Sequence, residues 1–179
     1  FTDITVDPPE NTYFNQTTFK LPVITFTPTL TKIPGFKKGS KVHYNKDGAN
    51  QTMNIENVGP SHNILTCSDP ANPVLTPNTD GHEAWGVTTC GIWKINTNLL
   101  TVTGNQPMII KRDGAWIEKN VRELVVGDKL YKTDNTEVEI TKLEFDSSDD
   151  NVYNTIHLKL DHNYFVNDIL IKKGGFTNA

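Results

Sequence analysis

Side chains able to do chemistry are few in this chain and widely spread. Its imidazoles are His43, His62, His82, His157 and His162, and its thiols are Cys67 and Cys90. None stands at the short spacings that gather zinc, and neither cysteine belongs to a Cys-x-x-Cys pair. Two cysteines in different segments are compatible with a disulfide or with two unpaired small hydrophobes in a core, and the second asks for least. His82-Glu83 lacks the second histidine of a zinc-protease helix and reads as a solvated pair in a polar segment. Asp149 and Asp150 follow Ser147-Ser148 and read as turn residues, not as a catalytic dyad. There is no Gly-rich phosphate loop, and Gly174-Gly175 reads as a flexible exit. Spacing alone therefore predicts no metal, no cofactor and no catalytic constellation. Trp85, Trp93 and Trp116 could form a sugar-binding face, but aromatics in a strand-rich chain more often pack in the core or across strands.

The elements that would position these residues are short strands. From Gly35 onward Val, Ile, Thr and aromatic residues recur in short runs. Asp47-Gly48 and Asp113-Gly114 are hairpin-turn signals. Asn54–Val58 and Val121–Leu124 each predict a single helical turn. Residues 68–91, rich in Pro, Asn, Thr and Gly, read as a long surface loop. Asp146–Asp150 reads as an acidic turn between two strands. Residues 1–34 have a different texture, with Pro8, Pro9, Pro22, Pro28 and Pro34 interrupting short β-favouring runs. Proline removes a ladder donor, so this segment is expected to be an extended arm packing on the domain or on a neighbour.

One repeat is visible at an offset of 66 residues. Val42–Gly48 aligns with Met108–Gly114, Asn54–Val58 with Asn120–Leu124, and Ile64-Leu65 with Leu130-Tyr131. The shared grammar is strand, Asp-Gly turn, strand, helical turn, strand. Two copies of one β unit predict a pseudo-twofold all-β domain whose halves bury a common core.

Bulk properties narrow the function classes. The 179 residues suffice for one sizeable core. A net charge of −4 and a pI near 5.7 argue against a nucleic-acid or anionic-membrane footprint. No apolar run is long enough to span a bilayer, and no signal-peptide pattern is present. The chain opens on Phe1, as expected of a fragment or a processed product. The sequons Asn15-Gln16-Thr17 and Asn50-Gln51-Thr52 are expected by chance in a chain this rich in Asn and Thr.

Three stretches resemble the motifs of Hint domains, the self-cleaving fold of inteins and hedgehog C-terminal regions. Gly35-Phe36-Lys37-Lys38-Gly39-Ser40-Lys41-Val42 is similar to the family opening Cys-Phe-x-x-Gly-Thr-x-Val. Thr103-Gly104-Asn105-Gln106-Pro107 is similar to Thr-x-x-His-Pro, and Val121–Asp128 to Ala-x-Glu-Leu-x-x-Gly-Asp. His162-Asn163-Tyr164-Phe165-Val166-Asn167-Asp168-Ile169-Leu170-Ile171 resembles the closing segment that ends in His-Asn. The resemblance implies an all-β, Hint-like pseudo-twofold fold, a horseshoe of short strands over residues 35–173. The arm precedes it over 1–34, and a tail follows over 174–179.

The resemblance also implies which positions would carry the reaction. The first residue must offer a nucleophilic sulfur or oxygen to the carbonyl before it, and Gly35 offers neither. The histidine of Thr-x-x-His acts at the scissile amide because imidazole titrates near neutrality, whereas Gln106 can donate a hydrogen bond but no proton. Thr103 alone supplies a polar contact. Asn cyclisation at the far end needs a carboxamide, and the closing pair is here Lys172-Lys173. His162 keeps its family position and is expected to be a hydrogen-bonded residue at a strand start. Ser40, expected on the first strand, and Thr31 are the nearest substitute nucleophiles, without a base nearby in sequence. The expected protein is thus a non-enzymatic structural module on a degenerate Hint frame. Its partners would be other protein subunits, met through the arm, in an assembly such as a phage tail, neck or baseplate. An autoprocessing domain in variant form, or a glycan or host-surface binder using the 68–91 loop, are the alternatives.

Overall fold

The structure is a computed structural model. It describes residues 34–59, 62–71, 75–78, 82–88, 91–147, 150–156 and 163–173. The expected arm, bar Pro34, and the expected tail lie outside the described residues, as do His157, His162, Cys90 and Thr31. Among the described residues every element is a strand, apart from two single 3-10 turns at Ile55–Asn57 and Val121–Glu123.

The strands are β1 (Phe36–Lys37), β2 (Lys41–Lys46), β3 (Ala49–Asn54), β4 (Asn63–Cys67), β5 (Leu75–Asn78), β6 (His82–Thr88), β7 (Ile92–Ile95) and β8 (Leu100–Thr103). After them come β9 (Pro107–Arg112), β10 (Ala115–Asn120), β11 (Lys129–Tyr131), β12 (Glu137–Glu139), β13 (Leu143–Ser147), β14 (Asp150–Ile156), β15 (Asn163–Val166) and β16 (Ile169–Lys172). One antiparallel sheet runs β13-β7-β8-β1-β14-β6. The other runs β12-β11-β9-β16-β15-β2-β4-β5, with β10 added on β9 and β3 on β2.

The sequence repeat is a structural one. Strands β2 and β3, the first 3-10 turn and the start of β4 each stand 66 residues before β9, β10, the second turn and β11. Their pairings repeat as well. Tyr44 opposes Ile64 as Ile110 opposes Leu130, and Asn45 opposes Asn63 as Lys111 opposes Lys129. Both hairpins turn on Asp-Gly with positive φ at both residues: 53° and 83° at Asp47-Gly48, 52° and 81° at Asp113-Gly114. That geometry matches strand twist and suits Asp followed by Gly.

The β15–β16 hairpin joins the copies. Val166 of β15 pairs with Val42, and Ile171 of β16 pairs with Met108, the equivalent of Val42. Tyr164 meets Thr66, and Ile169 meets Lys132, again equivalents. The pseudo-twofold axis therefore passes through the paired Phe165 and Leu170. Both faces of this hairpin are buried. Tyr164, Val166, Ile169 and Ile171 join the main core with Val42, Met108, Ile64 and Leu130. Phe165 and Leu170 join a smaller cluster with Leu65, Cys67 and Tyr131. The hairpin turns on Asn167-Asp168, where Asn167 Oδ1 accepts the Lys41 N–H at 2.7 Å and Nδ2 donates to Leu99 O at 2.9 Å.

The structure corrects three sequence expectations. Residues 68–91 are not one loop: β5 pairs with β4, and β6 pairs with β14 along its whole length. Their Thr, Pro and Asn content hid two strands, β5 paired with β4 just before it and β6 with β14 far along the chain. Ser40 is not on the first strand but in the turn between β1 and β2, its hydroxyl donating to Lys37 O at 2.8 Å. The acidic turn is shorter than expected, because β13 runs to Ser147 and Asp150 opens β14. Cys67 is fully buried, and its thiol donates to Asp69 O at 3.6 Å. Trp93 and Trp116 are half-buried and make edge contacts with Phe145 and Tyr131, as cross-strand packing predicts. The Trp85 side chain, and those of His82 and Glu83, lie outside the described residues.

Candidate functional site

The start of β1, the end of β8, the start of β9 and the end of β16 converge. Gly35 precedes β1, and its N–H donates to Thr103 Oγ1 at 3.0 Å in a buried contact. Thr103 N–H donates back to Gly35 O at 2.9 Å. The turn from β8 to β9 is closed by Gln106 N–H on Thr103 O at 3.1 Å. Gln106 Nε2 donates to Lys172 O at 2.7 Å and to Pro107 O at 3.0 Å. Thr103 and Gln106 are both fully buried. Four of the six sequence-predicted positions, Gly35, Thr103, Gln106 and Lys172, thus meet at one place. Lys173 follows directly, half-buried, and His162 lies outside the described residues.

The chemistry of this place is that of amide contacts. The Thr103 hydroxyl sits on the nitrogen of the Pro34–Gly35 peptide bond, where a group acting on that bond would stand. Gln106 offers an N–H to the backbone one residue before Lys173. No described side chain here is a thiol, imidazole or carboxylate. Lys172 turns its ammonium away, to Glu118 at 3.0 Å.

Position 35 is also closed in space. A Cβ built on Gly35 would lie 2.4 Å from the carbonyl oxygen of Tyr153 on β14 and 3.0 Å from its carbonyl carbon. Real Cβ atoms do not approach backbone this closely, so a side chain requires β14 to move. Sequence reading found Gly35 but could not find Tyr153, since a backbone contact leaves no signature in the residue type.

The Gly-Asp stretch has a structural task. Asp128, 2% exposed, takes Arg112 Nε on one oxygen and Nη2 on the other, each at 2.7 Å, and accepts the Val125 N–H at 2.9 Å. Burial pushes its carboxyl up, but the Arg112 guanidinium and the Val125 amide outweigh this and hold it below the usual range. His43 Nε2 meets Asp168 Oδ1, in the β15–β16 turn, at 2.6 Å. Among the described residues no group of three or more His, Cys, Asp or Glu could hold a metal ion. No helix of the described residues is long and apolar enough to cross a membrane.

No protein-family model matches this sequence, and no curated protein matches it. Solved structures do match. An intein from a hyperthermophile superposes with a TM-score of 0.66 at 16% identity, covering 79% of this chain and 100% of its own. A bacterial intein-like domain from Clostridium thermocellum gives 0.63 at 21% identity, covering 79% and 99%. A DnaB intein from Synechocystis sp. PCC 6803 gives 0.61 at 13% identity, covering 80% and 100%. The chain therefore has the Hint fold of inteins, as its motifs implied. At these identities the likeness establishes the fold alone.

Proposed function

We propose that this is a Hint-fold domain without self-cleaving activity, kept as a structural module within a larger assembly. The observation that carries this reading is Gly35. It has no nucleophile, and the carbonyl of Tyr153 occupies the space where one would begin. An N-to-S or N-to-O acyl shift needs a side-chain sulfur or oxygen beside the preceding carbonyl. The remaining groups support the same conclusion. Thr103 and Gln106 are engaged in holding backbone, and the closing position carries Lys173. The setting of the module, a phage virion with other subunits as partners, is an extension of this reading by analogy with where such frames occur. An autoprocessing domain in variant form is the second reading, favoured by the Thr103 hydroxyl standing on the scissile-bond nitrogen.

Intact mass of the full chain separates the two. Incubated with a thiol and with hydroxylamine, which trap thioesters and esters, the chain is expected to stay a single species of 20.0 kDa. A fragment ending at Pro34 would overturn the non-catalytic reading.

A further inference from the structure

The pseudo-twofold axis equates two loops that the copies cap differently. In the second copy Asp128 takes the Val125 N–H and is gripped by Arg112. The equivalents in the first copy are His62 for Asp128, Gly59 for Val125 and Lys46 for Arg112. His62 Nδ1 accepts the Gly59 N–H at 2.8 Å, so the same cap is made by an imidazole. With Nδ1 used as acceptor, Nε2 carries the ring proton. The cap survives, but the carboxylate that would face Lys46 does not.

What remains is a hollow of about 240 Å³ lined by Tyr44, Asn45, Lys46 and His62. Its mate, of about 620 Å³, is lined by the equivalents Lys111, Arg112 and Asp128 among others. In the mate the cations are neutralised within the chain: Arg112 by Asp128, Lys111 and Lys129 by Glu137. In the first copy Lys46 has no carboxylate within ion-pair distance among the described residues. Tyr44 spends its hydroxyl proton on Gln51 Oε1 at 2.9 Å. Asn45 spends one of its two amide protons on Asn50 Oδ1 at 3.0 Å. Lys46, His62 and Asn45, each with an N–H to donate, thus line one concavity whose lining holds no carboxylate.

We propose that this hollow is an oxyanion-binding site, taking a small carboxylate or phosphate group beside Lys46, the equivalent of the cation that Asp128 answers in the second copy. The oxyanion would accept from Lys46 Nζ and His62 Nε2 as Asp128 accepts from Arg112. No bond is made or broken. The proposal does not depend on whether the domain cleaves itself.

The test uses NMR of the full chain, titrated separately with inorganic phosphate and with succinate at constant ionic strength. The Gly59 amide and the His62 ring signals are expected to shift saturably, with dissociation constants on the order of millimolar. Saturation by phosphate alone or by succinate alone supports the site and says which anion it suits. His62→Asp keeps a cap that Asp128 already shows to work, and it installs the missing carboxylate beside Lys46, so it is expected to abolish binding. Lys46→Gln is expected to weaken binding about tenfold, as the loss of one charge-assisted bond does. It serves as the test should His62→Asp not fold. No saturable shift with either anion, or undiminished shifts in the folded variants, would overturn the proposal.

Discussion

At position 35 a hydrogen is all the structure accommodates. The glycine is in an ordinary backbone conformation, so its role is close approach and not a turn. Tyr153 opposes Phe36, the next residue, in the β1–β14 ladder, which fixes the carbonyl against Gly35. Gly35→Ala forces that ladder apart and is expected to destabilise the fold by about 2 kcal/mol, as overpacking of a buried site does. Denaturant unfolding checks it, and an unchanged midpoint would show that β14 yields freely. The absence of a nucleophile was legible in the residue type. The closing of the space was not, because it comes from a backbone atom more than a hundred residues away.

Elements were legible where local chemistry dictates them. The Asp-Gly turns, the two 3-10 turns and the repeat follow from side chains acting on their own neighbourhood. Strands β5 and β6 were not, since Leu75–Asn78 and His82–Thr88 gain order from β4 and β14 and not from an apolar alternation of their own. The Asp128 loop lies between these cases. Its Gly-Asp motif was visible, but the Arg112 partner was not. Because the folded carboxyl titrates below the unfolded one, its contribution is present above the unfolded pKa of about 3.9 and is lost as pH falls through the lower folded value. Asp134, drawn down to about 2 by the Thr136 hydroxyl and Lys132, adds to the same window. Stability is therefore expected to be level from these groups at neutral pH and to fall in the acid range below about pH 4. Asp128→Asn is expected to cost about 2–4 kcal/mol at pH 7 by leaving Arg112 without its counter-charge, and to flatten the acid slope. An acid slope equal to that of the wild type would contradict the assignment.

Across the whole molecule, the β15–β16 hairpin lies on the axis and pairs with both copies, so the two halves are tied together away from position 35. The hairpin is buried on both faces, while Gly35, Thr103, Gln106 and Lys172 gather where the first and last described strands meet. The same separation lets one copy of the repeat hold an internal Arg112–Asp128 pair and the other an open hollow without disturbing the core.

The proposed function holds that the Tyr153 carbonyl of β14 fills the space a side chain at position 35 would need, so that supplying a thiol there and an imidazole at position 106 does not start cleavage. The most direct measurement is the intact mass of the Gly35→Cys, Gln106→His double variant in the presence of thiol. A single uncleaved species is predicted, because the new side chain cannot be seated beside the Pro34 carbonyl without displacing Tyr153. A thiol-dependent fragment comprising residues 1–34 would contradict the account and show a site closed by residue type alone.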